Sequence, residues 1–371
     1  MRKIGEPKEK NEVLAYAGTD VISGGISMKF NKFITLAASA ALILSMTGCG
    51  GSKEKSTEKK VFTAAMITDT GGINDQSFNQ SAWEGLTELK EESGASVSYI
   101  ESKQASDFVT NLERLGDNGA DLLWGIGYAC ADAILEAAES NPDIKYAIVD
   151  NSYENTPDNV TAVVFRAQES SFLAGYVAGR TTQTGKVGFV GGIHNGVIDQ
   201  FRYGYQAGVL YAARELGKDI EVSTQYAESF TDSAKGKAIA NKMYSDGCDV
   251  IYHAAGGSGT GVIEAAKEAS KWVIGVDRDQ AYLAPDHVLT SAIKMVGKAV
   301  KEVSEETMEG EELGGQVLSF GLEEESVGLS ENHKNMPEGV YEDAMELQEK
   351  VKDGEITPPA TMAEFELFAV Q

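Results

Sequence analysis

From Val61 onward the chain alternates short apolar runs with amphipathic stretches whose apolar residues recur at helical spacing. Ten of the runs predict strands. VFTAAMIT (61–68), VSYIES (97–102), LLWGIG (122–127), KYAIVD (145–150) and TAVVF (161–165) form one set; KVGFVGG (186–192), EVSTQYAES (221–229), DVIYHAAG (249–256), KWVIGVD (271–277) and VLTSAI (288–293) form another. The stretches between them predict helices, among them 79–92, 107–118, 131–140, 171–182, 198–216, 233–245 and 262–269. Continuously apolar strands alternating with helices belong to parallel sheets covered on both faces. Two sets of five such units predict an α/β protein with two doubly wound lobes, and ten strands fit an eight-stranded barrel poorly. The longer break after Phe165, AQESSFLAGYVAGRTTQTG, is the expected first crossing between lobes. The first lobe is therefore expected at 61–166, with the chain returning to it near 295–320, and the second at 167–294. A last helix at 338–352 and the tail from Glu355 lie in a segment, 321–371, expected to recross the hinge.

Ahead of this pattern stands a different one. MKFNKFITLAASAALILSMTGC (28–49) has a cationic start at Lys29 and Lys32, an apolar run from Phe33 to Met46 and a small-residue exit at Thr47-Gly48 before Cys49. That is a secretory signal, too short for a comfortable membrane span. The exit resembles the lipobox of bacterial lipoproteins, with Met46 where that motif prefers Leu, and it predicts a lipid on Cys49. The expected location is the extracytoplasmic face of the cell membrane, and GGSKEKSTEKK (50–60) has the composition of a flexible tether. Residues 1–27 carry Glu6, Glu9, Glu12 and Asp20 where a signal peptide would not, so translation is expected to start at Met28.

Composition narrows the function. The chain has 371 residues, with 32 Lys plus Arg against 57 Asp plus Glu, a net charge of -25; removing residues 1–48 makes it -27 over 323 residues. Nucleic acid is not an expected partner, because its phosphates need clustered cations. Three cysteines, none in a CxxC pair, give no disulfide framework, and the four histidines stand singly, so no metal or cofactor is expected.

In open α/β lobes, ligands meet the carboxyl ends of the strands. After the first strand comes DTGGINDQSFNQSAWEG (69–85), a polar loop holding one large apolar residue, Phe78. Asp150 follows the fourth strand, GGSGTG (256–261) the eighth and Asp277-Arg278-Asp279 the ninth. Carboxylates at three strand ends, with Phe78, favour a cleft for a neutral, hydroxyl-rich ligand: a carboxylate accepts from a diol or a base N–H edge, and an aromatic face stacks on a ring. Phosphate-binding readings fail on spacing. GGSGTG is not GxGxxG, GRTTQTGK (179–186) has its first Gly one residue too far for a P-loop, and no GxSxG elbow exists. Binding outranks catalysis.

DTGGINDQSFNQSAWEG, with IVDN (148–151), FRYGYQAGV (201–209), ESFTDSAKGKAIA (228–240), AAGGSGTGV (254–262), IGVDRDQ (274–280) and LTSAIK (289–294), resembles the basic membrane protein family of bacterial substrate-binding lipoproteins. Its members include purine nucleoside receptors. The resemblance implies a periplasmic-binding-protein type I fold, two Rossmann-like lobes joined by a hinge, and delivery to the permease and ATPase of an ABC importer. It also implies that Asp69 bonds the base edge, that Phe78 stacks on the base with Asn74 and Asp75 shaping the loop, and that Asp150 meets the ligand. From the second lobe, Phe201 or Phe230 would close the aromatic sandwich, and Gly256 or Gly257 would give a backbone contact at the ribose. Asp277 would take the ribose hydroxyls, and Lys294 would donate to them or orient Asp277. The sequence departs from the family at Gly127-Tyr128-Ala129-Cys130, where Tyr128 is expected to alter the pocket floor. The rival readings are a sugar- or polyol-binding protein of the same fold and a nucleoside-processing enzyme.

Overall fold

The computed structural model describes residues 60–370; the readings made on residues 1–59, Cys49 included, lie outside them. Two six-stranded sheets form two lobes. The first holds β1 (Thr63–Ile67), β2 (Ser96–Ile100), β3 (Leu122–Ile126), β4 (Lys145–Val149), β5 (Val160–Phe165) and β11 (Val317–Phe320), in the order β11-β5-β4-β3-β1-β2. The second holds β6 (Lys186–Gly191), β7 (Glu221–Tyr226), β8 (Val250–Ala254), β9 (Trp272–Asp277), β10 (Val288–Lys294) and β12 (Val327–Leu329), in the order β12-β10-β9-β8-β6-β7. The orders correspond strand for strand, and every pairing is parallel except that of β12 with β10. All ten predicted strands are present; β11 and β12 are additions.

The helices are α1 (Phe78–Ser93), α2 (Phe108–Asp117), α3 (Ala131–Ser140), α4 (Ala167–Thr181), α5 (Gly196–Leu216), α6 (Ser233–Ser245), α7 (Ser258–Ala269), α8 (Val296–Glu309), α9 (Val340–Lys352) and α10 (Met362–Val370). After β5 the chain crosses so that α4 packs on α5 of the second lobe; after β10 it crosses back so that α8 packs on α1 of the first. Both contacts are made backbone to backbone at glycine. A Cβ on Gly175 would lie 2.0 Å from the carbonyl oxygen of Tyr205, and one on Gly85 would lie 2.1 Å from that of Gly297. Each crossed-over helix is also tied to a central strand beneath it: Trp124 Nε1 donates to Ser304 Oγ at 3.0 Å, and the Tyr252 hydroxyl lies 3.1 Å from Ser171 Oγ. Each lobe can therefore move as a rigid body.

A third crossing runs from β11 to β12. The later helices, expected to return over the hinge, instead stay on the second lobe, α9 against α4 and α10 against α5, because the recrossing is complete at β12. Arg166 ties the strands of the hinge: its guanidinium bonds Glu169 at 2.7 Å, Ser319 Oγ at 3.2 Å and Glu324 at 2.6 Å. Lys298, from the second crossing, donates to the Glu324 carbonyl at 2.7 Å.

Candidate functional site

The carboxyl ends of both sheets face one cleft, with about 580 Å³ of empty space counting the open solvent at its mouth. From the first lobe, the β1–α1 loop is shaped by two aspartates. Asp75 caps α1, accepting from the backbone N–H groups of Ser77 (2.9 Å), Asn79 (2.8 Å) and Gln80 (3.1 Å), where the helix dipole favours an anion. Asp69 Oδ1 accepts from Gly71 N and from Asn79 Nδ2, each at 2.8 Å. Asp69 Oδ2 is turned toward Gly127, where an added Cβ would lie 3.4 Å from both this oxygen and the Phe78 ring. Gly127 has φ 104, a backbone that favours glycine, while the added Cβ itself would meet only ordinary contacts. Burial pushes the Asp69 carboxyl up to about 6, against the Asn79 and Gly71 bonds that pull it down.

From the second lobe, Asn195 caps α5 by accepting from Val197 N at 2.8 Å and Ile198 N at 3.1 Å. The first turn that follows places Val197, Ile198 and Phe201 on the cleft wall. Phe230, in the loop after β7, lies against Gly192, where a Cβ would be 2.1 Å from its ring.

Asp150 and Asp277 close the cleft floor from opposite lobes. Asp277 accepts from Ser77 Oγ of the first lobe. Burial pushes its carboxyl up to about 6, although Lys294 nearby and the Ser77 bond pull it down. Asp150 takes both its oxygens to Lys294 Nζ, the bond to Oδ1 being 2.7 Å. Nζ also lies 4.8, 5.0 and 5.6 Å from the ring centres of Phe78, Phe165 and Phe201, a cation enclosed by a carboxylate and three aromatic faces.

Eight of the expected positions thus line the cleft: Asp69, Phe78, Asp150, Phe201, Phe230, Gly256, Asp277 and Lys294. Two do not. Asn74 is exposed at the loop surface, and the loop's cleft-facing amide is Asn79, inside the first turn of α1. Gly257 is the N-cap of α7 and is not among the cleft-lining residues; a Cβ added there would lie 3.1 Å from the Phe230 carbonyl oxygen. Lys294 is bonded to Asp150 rather than to Asp277, because the two lobes bring β4 and β10 ends together. Tyr128 lines the cleft as expected of a floor residue, and burial pushes its hydroxyl above the usual tyrosine range. Asp75, expected with Asn74 to shape the loop, caps α1 there, whereas Asn79 escaped sequence reading. Cys130 and Cys248 are buried free thiols. Among the described residues, no group of three or more His, Cys, Asp or Glu side chains is placed to hold a metal.

A family model described as ABC transporter substrate-binding protein PnrA-like (Bmp) matches residues 62–361. The chain belongs to this family. Basic membrane protein A of Borreliella burgdorferi is 41% identical over 344 residues, covering 91% of this chain and 98% of that one. An ABC transporter nucleoside-binding protein of Lactococcus lactis subsp. cremoris is 40% identical over 357 residues, covering 90% of this chain and 100% of that one. Among solved structures, an ABC transporter solute-binding protein of Aeropyrum pernix K1 superposes with a TM-score of 0.74 at 27% identity, covering 82% of this chain and 95% of that one. The fold is the periplasmic-binding-protein type. As a Bmp family member the chain is a substrate-binding component of an ABC transporter, not an enzyme; a small-molecule ligand and permease and ATPase subunits are its partners. Family members are membrane-associated extracytoplasmic proteins, and among the described residues no helix is long and apolar enough to cross a membrane.

Proposed function

We propose that the protein captures purine nucleosides, guanosine, inosine and adenosine, between its lobes for import, tethered to the membrane by a lipid on Cys49. The observation that carries this reading is the placing of Phe78 from one lobe and Phe201 and Phe230 from the other on one cleft, with Asp69 and Asp277 beside them. A planar base fits between aromatic faces, and stacking contributes about 1–3 kcal/mol per base in other systems. Asp69 Oδ2 is the acceptor for a base N–H edge, and Asp277 for ribose hydroxyls. The alternative of a nucleotide is disfavoured by charge: Asp69, Asp75, Asp150 and Asp277 line the cleft, Lys294 is the one cation among its described lining residues, and Asp150 already neutralises it. Contacts drawn from both lobes exist together only when the lobes meet, so ligand binding shifts the population toward closure. The nucleoside-binding description of the Lactococcus lactis relative supports the same reading.

Calorimetry of the purified protein against nucleosides, free bases, sugars and nucleoside monophosphates tests the ligand. Binding of a sugar but no nucleoside would overturn it. For the anchor, metabolic labelling with radioactive palmitate is expected to mark the wild type and not Cys49→Ser; label in both would remove Cys49 as the site. Peptide mapping of the unprocessed precursor tests the start at Met28, which any peptide from residues 1–27 would refute.

A further inference from the structure

Outside the cleft the lobes meet a second time, around Gln76. This residue of the first lobe's β1–α1 loop has φ 59, a left-handed backbone that residues with a side chain seldom adopt. Both of its acceptors are taken by the second lobe. The main-chain oxygen accepts from Gln280 Nε2 at 3.0 Å, and the side-chain Oε1 accepts from the Tyr282 hydroxyl at 2.5 Å. Gln280 is fully buried, and the rest of it is fixed within its own lobe: Oε1 accepts from Val276 N at 3.0 Å, and its backbone N donates to Ser291 Oγ at 3.1 Å. The amide is thus held with only its Nε2 directed at the other lobe. Separating the lobes takes away that acceptor and leaves a buried donor to be satisfied by water.

Gln76, Gln280 and Tyr282 are absent from the cleft wall, and no bond among them needs a ligand atom. Flanking contacts run the same way, with Ser77 on Asp277 and Arg278 donating to Glu84 at 3.0 Å. We propose that Gln76, Gln280 and Tyr282 form an interlobe latch that stabilises the closed arrangement independently of the ligand and sets how long the ligand is retained. Encounter takes place with the lobes apart, so loss of the latch speeds release and cannot slow association.

Two variants of the full chain isolate the latch. Tyr282→Phe removes one hydroxyl from a side chain that is 51% exposed, so folding is not at risk. Gln280→Glu keeps an acceptor for Val276 N but sets a carboxylate oxygen against the Gln76 carbonyl. The readouts are small-angle X-ray scattering of nucleoside-free protein and the release of radiolabelled inosine. Both variants are expected to scatter with a larger radius of gyration than wild type. Inosine is expected to leave about tenfold faster from Gln280→Glu and about threefold faster from Tyr282→Phe, with association no slower than in wild type, as befits the loss of one buried and one exposed hydrogen bond. Scattering identical in all three proteins, or slower association with unchanged release, would overturn the latch. The latch requires only a two-lobed binding protein: if wild type does not bind inosine, the nucleoside reading falls and the scattering alone decides the latch.

Discussion

Asp150 and Asp277 occupy the same position in the two sheets, each at the carboxyl end of the third strand in its sheet order and each with left-handed backbone, φ 64 and φ 65. Their environments differ. Asp277 accepts a serine hydroxyl from the facing lobe, whereas Asp150 is paired with Lys294, the side chains of that pair being 8% and 2% exposed. The corresponding strand ends thus carry two tasks, one carboxylate accepting a serine hydroxyl from the facing lobe and one holding a buried cation.

The pair makes Asp150→Ala a stability mutation before it is a binding mutation. Losing one partner of a buried ion pair leaves the other charge uncompensated, a destabilisation of about 3–5 kcal/mol. Asp150→Ala combined with Lys294→Met removes both charges and is expected to recover most of that loss. Urea unfolding of the two variants checks this; a double variant as unstable as the single would show that the lysine is not the stranded group. Asp277→Ala, by contrast, is expected to unfold within about 1 kcal/mol of wild type or above it, while weakening nucleoside binding at least tenfold, about 1.4 kcal/mol.

The aromatics are expected to divide by burial. Phe78 is half-buried on the cleft and Phe201 is fully buried in it. Phe78→Ala should therefore reduce inosine affinity by about 1–3 kcal/mol with little change in melting temperature. Phe201→Ala should lower both, because truncating a core phenylalanine destabilises by about 3–5 kcal/mol. Calorimetry paired with thermal melts separates the two; equal losses of affinity with equal melting temperatures would mean that Phe201 has no packing role.

Much of this arrangement was legible in the residues. Strands such as β3, buried at all five positions, stand out because both faces are covered. Edge pieces do not: β11 is half exposed and β12 has three residues, too little for a period to register. Helix α8 buries Val296, Ala299, Val300 and Val303 at helical spacing, a pattern diluted by the lysines and glutamates between them. Strand-end carboxylates could be found one lobe at a time. The Lys294 to Asp150 pairing could not, since it joins residues 144 apart through the meeting of two lobes. Asn74 and Asn79 show the same limit at short range, because which amide turns inward depends on where α1 begins.

Binding is expected to be flat above about pH 7 and to weaken below pH 6. Asp69 and Asp277 both have folded carboxyls raised by burial from 3.8 to about 6, and only the ionised form offers both oxygens as strong acceptors to a ligand. The sign for stability is opposite. With the folded state binding protons more tightly, the cost of holding these carboxylates charged is full above pH 6 and vanishes as pH falls toward 3.8. Asp69→Asn should therefore raise the stability of the nucleoside-free protein at pH 7.5 by up to about 3 kcal/mol while weakening binding. His253 works against this trend. Burial lowers it from 6.5 to about 4, so its contribution to stability is lost as pH falls through that window. Calorimetry and denaturant unfolding at pH 5, 6 and 7.5 check both signs; Asp69→Asn with wild-type stability throughout would contradict the burial cost.

Nucleoside monophosphates supply the last discrimination. A phosphate brings about 1.5 to 2 negative charges at pH 7. It would enter a cleft lined by four aspartates, whose one lysine among the described lining residues is already held by Asp150. Among the described lining residues no second cation stands to receive it, and like charges in a partly desolvated cleft repel with little screening. Guanosine is therefore expected to bind at least about a hundredfold more tightly than guanosine monophosphate, a difference of about 2.7 kcal/mol. Screening at the cleft mouth should narrow the gap as salt rises from 0.05 to 0.5 M, since the Debye length falls below about 10 Å beyond 0.1 M. Competition titrations at the two salt concentrations measure both effects. Equal affinity for nucleoside and monophosphate at low salt would mean that the cleft charge does not select the ligand.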